Sequence, residues 1–132
     1  MSAIVLGVGP GLGLALAHAY ADTGRRVAVV SRRQDDAAGF AADLPDAVGY
    51  AADLGDPAAV MEVVRRAAEE LGAPDIVHYN ASVLLEGTPS QVSLDAVETS
   101  WRVGCLGAWA ALQASVPLMD DGSAFLVTGG GL

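Results

Sequence analysis

The 132 residues carry sixteen acidic side chains against seven basic ones, all seven of them arginine, for a net charge of −9. The missing lysine excludes Schiff-base chemistry, a lysine general base and any phosphate loop built on a lysine. The negative balance excludes nucleic acid and an anionic membrane surface as natural partners, and a hydrophobic fraction of 52% describes one packed domain over residues 1–132.

Taken in chain order, residues 3–6 read as a buried strand and 12–23 as a helix ended by Gly24. No charge precedes Asp22, but glycines crowd this stretch and no basic residue precedes it, so neither a membrane span nor a secretory signal is expected. Residues 26–30 form the next strand, 35–44 a helix stopped before Pro45, and 48–51 a short third strand. Asp56 as N-cap, with Pro57 in the first helical position, starts a helix that runs to Leu71 and Gly72. Residues 76–79 read as a fourth strand and 86–91 as a polar loop. Ser93 then caps a long helix reaching residue 118, and 125–128 is a fifth strand before Gly129-Gly130-Gly131-Leu132. Strands this apolar, alternating with helices, predict an α/β fold: a doubly wound parallel sheet in the order 3-2-1-4-5 with helices on both faces.

Cys105 stands alone, so no internal disulfide can form and a reducing, cytoplasmic setting is expected. One cysteine with His18 and His78, at no ligand-like spacing, predicts no metal site.

Gly7-Val8-Gly9-Pro10-Gly11-Leu12-Gly13 joins the first strand to the first helix. Glycines at such a turn let a pyrophosphate approach the backbone, where the helix N-terminus offers free N–H groups and a favourable dipole. Gly13 would also let the helix lie close to the sheet. The end of the second strand speaks to which dinucleotide. A carboxylate there would bond a ribose 2′-hydroxyl, whereas this chain has Ser31-Arg32-Arg33, a hydroxyl and guanidinium groups suited to a 2′-phosphate. NADP(H) is therefore expected over NAD(H). The bland alternative pairs Arg32 and Arg33 with Asp35 or Asp36 as loop charges.

On these residues the sequence resembles the short-chain dehydrogenase/reductase family. Gly7, Gly11 and Gly13 meet its Gly-x-x-x-Gly-x-Gly spacing, and Asp53-Leu54 resembles its Asp-Val or Asp-Leu pair. Tyr79-Asn80-Ala81-Ser82 resembles Asn-Asn-Ala-Gly, and Gly107 to Pro117-Leu118-Met119 its long interface helix. The resemblance implies that Asp53 and Leu54 contact an adenine ring, that Asn80, Ala81 and Ser82 line the cofactor, and that the helix near residues 94–118 forms a homo-oligomer. Asp53 could instead cap the turn before Asp56.

The departures fall on catalysis. The resemblance puts a catalytic asparagine three residues before Gly107, where Gly104 stands, and a catalytic serine after the fifth strand, where Thr128-Gly129-Gly130-Gly131 stands. Thr128 is the candidate hydroxyl, one residue early. Tyr20, Tyr50 and Tyr79 have no lysine four residues on, so no Tyr-x-x-x-Lys pair occurs in these residues. Such a lysine would lower the phenol's pKa and orient the cofactor ribose, a role arginine fills poorly.

His78, in an apolar strand, reads as a hydrogen-bonded core histidine, and His18 has no catalytic setting. Trp101, Cys105 and Trp109 share a helical face that reads as packing, while Gly104, Gly107, Ala108 and Ala111 form a small-residue face open to a second helix. Two functions follow: the NADP(H)-binding domain of an oxidoreductase, or a non-catalytic dinucleotide-binding sensor or interaction module.

Overall fold

The computed structural model describes residues 1–130; Gly131 and Leu132, the end of the expected glycine run, lie outside the described residues. Five strands, β1 (Ser2–Leu6), β2 (Arg26–Ser31), β3 (Ala47–Ala51), β4 (Pro74–Tyr79) and β5 (Ala124–Val127), form one parallel sheet in the order β3-β2-β1-β4-β5. The expected fold class and strand order are those observed. β1, β3, β4 and β5 begin one or two residues earlier than the apolar runs suggested, because Ser2, Ala47, Pro74 and Ala124 already pair with a neighbouring strand.

Helices α1 (Leu12–Asp22) and α2 (Gln34–Ala42) cover one face and α3 (Pro57–Leu71) and α5 (Gly107–Ser115) the other, while α4 (Leu94–Trp101) precedes α5 and contributes no residue to either core. β1 is buried along its whole length, which is why it reads as a continuous apolar run rather than an alternation. Its side chains divide between two cores. Ile4 and Leu6 join Val60, Val64, Ala67 and Ala111 beneath α3 and α5, whereas Val5 joins Val27, Val29 and Ala17 beneath α1. Burying each valine or leucine in these layers contributes about 1.5–3 kcal/mol.

Local chemistry sets the helix ends. The Asp56 carboxylate accepts from Ala58 N at 3.0 Å with Pro57 beside it, and Ser93 Oγ accepts from Ala96 N at 3.1 Å. Gly24 and Gly72 follow α1 and α3 with φ of +85° and +93°, a conformation that glycine adopts without a Cβ penalty. At the amino edge of the sheet, Arg25 donates to both carboxylate oxygens of Asp75, its Nη2 at 2.9 Å, and ties the start of β2 to the start of β4.

The long helix expected to residue 118 is interrupted. Between α4 and α5 the backbone makes a π-helical turn, Arg102–Leu106, and a 3-10 turn, Val116–Leu118, follows α5. The two faces assigned to this helix also exchange roles. Gly107 and Ala111 are turned inward onto this chain's own core, while Trp101 and Trp109 are 56% and 61% exposed and pack into no core here. The reason is close approach: a Cβ at Gly107 would land on the Tyr79 hydroxyl and the Leu54 carbonyl, so this part of the helix must turn Gly107 to the sheet, while Gly104 of the same expected face is exposed. Among the described residues, no helix is long and apolar enough to cross a membrane.

Candidate functional site

The carboxyl ends of β1, β2 and β4 open onto a cleft of about 470 Å³. Gly7, Val8 and Gly9 form its floor, Ser31 and Arg32 one flank, and Asn80, Ala81, Ser82 and Val83 the other; Asp53, Leu54, Thr99 and Val103 complete the wall. Nine of the expected residues thus come together, drawn from four separate loops. Pro10, Gly11, Leu12, Gly13 and Arg33 belong to the same turns but are not among the residues lining the cleft.

The glycine turn is shaped by the chain around it. Gly7 has φ +95°, and a Cβ there would sit 2.7 Å from Ala81 N. A Cβ on Gly13 would lie 2.5 Å from Gly7 O and 2.8 Å from Val8 Cα, which accounts for glycine at both positions by close approach alone. Gly9 and Gly11 differ, since a Cβ on either would meet nothing within 4 Å. Gly7 N and Val8 N both donate to Val30 O, at 3.0 and 2.9 Å, which fastens the turn to β2. The first α1 amides with carbonyl partners are those of Leu14 and Ala15. Among the described residues, the amides of Leu12 and Gly13 ahead of them have none, and no side chain caps the helix, so these donors and the positive end of the helix dipole are available to an anion.

Ser31 Oγ donates to Val8 O at 2.7 Å and is buried. Its single O–H proton is therefore committed to the turn, and the residue offers a neighbouring phosphate no donor while that bond holds. The arginines are free. Neither Arg32 nor Arg33 has a carboxylate within 4.0 Å among the described residues, although Asp35 and Asp36 follow at once. Four of the other five are in ion pairs, and Arg66 lies over the Tyr50 ring. The Gln34 side chain pins the arginine loop to the edge strand, donating to Gly49 O at 3.1 Å and accepting from Ala51 N at 3.2 Å.

On the opposite flank, Asn80 Nδ2 donates to Gly7 O at 3.1 Å, and Asp53 Oδ1 accepts from Gly55 N at 2.9 Å. Asp53 thus does brace its own turn. It remains exposed at the cleft margin.

Glycines stand at two of the positions where the resemblance implies catalytic side chains. Gly104 and Gly129 are exposed, and a Cβ on either would have open space around it. Thr128 does not line the cleft: its Oγ1 lies 2.9 Å from His78 Nε2, and His78 Nδ1 lies 2.6 Å from the Tyr20 hydroxyl. A neutral imidazole satisfies both contacts, and burial holds the His78 pKa below its ordinary 6.5. His78 is the core histidine that the sequence suggested, and His18 is exposed on α1. Among the described residues, no group of three or more metal-ligating side chains forms.

Four lining residues escaped the sequence reading. Val8 lay inside the glycine motif and Val83 followed Ser82, so adjacency could have found them. Thr99 and Val103 reach the cleft from the end of α4 and the π-helical turn, and nothing in the sequence marks that turn.

Residues 1–127 match the family model for short chain dehydrogenase. The chain is 30% identical over 131 residues to a versicolorin reductase of Emericella nidulans, spanning 96% of this chain and 50% of that protein. Among solved structures it is similar to a short chain dehydrogenase from Burkholderia cenocepacia in complex with NADP, with a TM-score of 0.88 and 31% identity over 97% of this chain and 54% of that one. A blue fluorescent protein from a metagenomic library, in complex with NADPH, gives a TM-score of 0.90 and 28% identity over 96% of this chain and 54% of that one. The chain thus spans about half the length of each of these relatives.

Proposed function

The chain belongs to the short-chain dehydrogenase family, and from that premise we propose that its cleft holds NADP(H) as the dinucleotide-binding part of an oxidoreductase. The observation that carries this reading is the pair Arg32 and Arg33, left without carboxylate partners in a chain of net charge −9. Two guanidinium groups beside a dinucleotide cleft suit a 2′-phosphate, which arginine grips with paired charge-assisted hydrogen bonds. The pyrophosphate would lie along Gly9, Pro10 and Gly11 toward the open amides of Leu12 and Gly13. Asp53 and Leu54 would flank the adenine, and Asn80, Ala81 and Ser82 the remaining ribose. Ser31 serves by holding Val8 in place. The cofactor, when bound, supplies a hydride-carrying nicotinamide ring; the residues named here bind and orient it.

Paired titrations of NADPH and NADH test the assignment. Arg32→Ala should weaken NADPH about tenfold or more, the scale of a charge-assisted hydrogen bond, and leave NADH nearly unchanged. Equal losses for both would remove the 2′-phosphate assignment.

A second reading, binding without turnover, is favoured by Gly104 and Gly129, glycines at positions where the resemblance implies polar side chains. In that case the chain senses the dinucleotide or presents it to a partner. NADPH oxidation over a panel of carbonyl compounds separates the two, because robust turnover by this chain would sink the non-catalytic reading. For self-association, the outward indoles of Trp101 and Trp109 are the surface we assign to a second copy.

A further inference from the structure

Tyr79 closes β4 with its ring buried in the core beneath α3 and α5. Its hydroxyl donates to Val103 O at 2.5 Å and lies 3.5 Å from Leu54 O. The first contact exists because of the π-helical turn. In an α-helix the Gly107 amide would bond Val103 O, but here it bonds Arg102 O, and the i→i−5 pattern takes from Val103 O the donor an α-helix would give it. The Tyr79 hydroxyl supplies that donor from outside the helix. Gly107 completes the arrangement, since any Cβ there would collide with the same hydroxyl and with Leu54 O. Three segments therefore meet at one phenol oxygen: the end of β4, the turn after β3 and the π-helical turn. Leu54 and Val103 from two of these segments line the cleft, as does Thr99 one helical turn earlier. Burial and the neighbouring Asp53 push the Tyr79 phenol up to about 12, so it stays a donor throughout the neutral range.

We propose that Tyr79 is a positioning residue for the cleft: by capping the Val103 carbonyl, its hydroxyl locks the π-helical turn and sets the helical wall against which the dinucleotide lies. The ligand in this statement rests on the dinucleotide reading above; the lock itself does not.

Tyr79→Phe removes only the hydroxyl. Cys105, the chain's one cysteine, lies within the π-helical turn and reports its opening through the rate of reaction with a water-soluble disulfide reagent. Without the hydroxyl, Cys105 should react about tenfold faster, and NADPH should bind about fivefold more weakly while the NADPH-to-NADH preference stays at its wild-type value. Gly107→Ala keeps the hydroxyl but sets a methyl group on it, and should move both readouts the same way. Should both variants fail to fold, the unsubstituted chain decides: a slowly exchanging Tyr79 hydroxyl proton, coupled to the Val103 carbonyl carbon in the NMR spectrum, supports the lock, and its absence overturns it. Unchanged Cys105 reactivity in Tyr79→Phe also overturns the lock. Faster reaction with unchanged NADPH affinity overturns the positioning role. A wild-type chain that binds neither NADPH nor NADH, with Cys105 still accelerated in Tyr79→Phe, overturns the dinucleotide reading and upholds the lock.

Discussion

Around the glycine turn, polar groups are matched one to another: Ser31 to Val8, Asn80 to Gly7, and Val30 to two successive amides. What is left over there is specific, two arginines and the front amides of α1. Across the sheet, on α4, α5 and β5, the leftover groups are apolar. Trp101, Trp109, Leu126 and Val127 are exposed, as is Val116 in the 3-10 turn after α5. Unsatisfied polar groups at a cleft suit a small charged ligand, while exposed apolar groups suit cover by further polypeptide, whether of the same protein or of a second copy. One sheet thus carries two surfaces with different chemical demands.

The sharpest way to break this comparison is within the turn. Gly7→Ala forces a Cβ into the Ala81 backbone at positive φ and should cost about 3 kcal/mol of stability in a denaturant titration. Gly9→Ala meets no atom within 4 Å and should leave stability within about 0.5 kcal/mol while weakening NADPH in calorimetry. If Gly9→Ala binds NADPH as the wild type does, the open space at Gly9 is not ligand space. On the other flank, Trp109→Glu should weaken self-association by about 2 kcal/mol, the scale of a buried interface tryptophan, in light scattering across a concentration series. An unsubstituted chain that stays monomeric at every concentration would take that face out of the comparison.

The smallest effect joins the two flanks, because His78 links Tyr20 on α1 to Thr128 beyond β5. Burial depresses the folded-state pKa of His78 below 6.5, so the unfolded chain takes up this proton first as pH falls. The contribution is complete above pH 6.5 and is lost as pH falls from there through the folded pKa. Its slope is at most about 1.4 kcal/mol per pH unit for one proton. His78→Gln should flatten that part of the stability–pH curve; an identical curve would show that other groups set it.

The fold was legible because each level of the sequence agreed with the next. Apolar runs too continuous to face water gave the parallel sheet, and Asp56-Pro57, Ser93, Gly24 and Gly72 marked helix ends by their own bonding and backbone chemistry. The cleft was legible where the ends of successive strands meet at one sheet edge, as with Gly7, Arg32 and Asn80. Ser31 was legible only by place: a serine hydroxyl points wherever the nearest acceptor lies, and Val8 O was the nearer. The π-helical turn was not legible, because shifting one amide from Val103 O to Arg102 O needs no special residue. Nor were the helix faces. Small and aromatic stripes both suggest contact, and what separates them is the approach of Tyr79 and Leu54 to Gly107, which exists only in the assembled chain.

The double acceptor at Val30 has a consequence for how the cleft comes into being. The bend at Gly7 and Val8 is held by a carbonyl more than twenty residues further on, so a nascent chain carrying every glycine of the motif has the letters of the site without its shape. The bend must wait for β2 to dock beside β1, a closure whose entropic cost is met before any dinucleotide contact can form. A ligand that recognises the bend selects chains in which this docking has occurred and shifts the folding equilibrium toward them by mass action. The dinucleotide would in that way act as a template for the first β–α–β unit as well as its occupant.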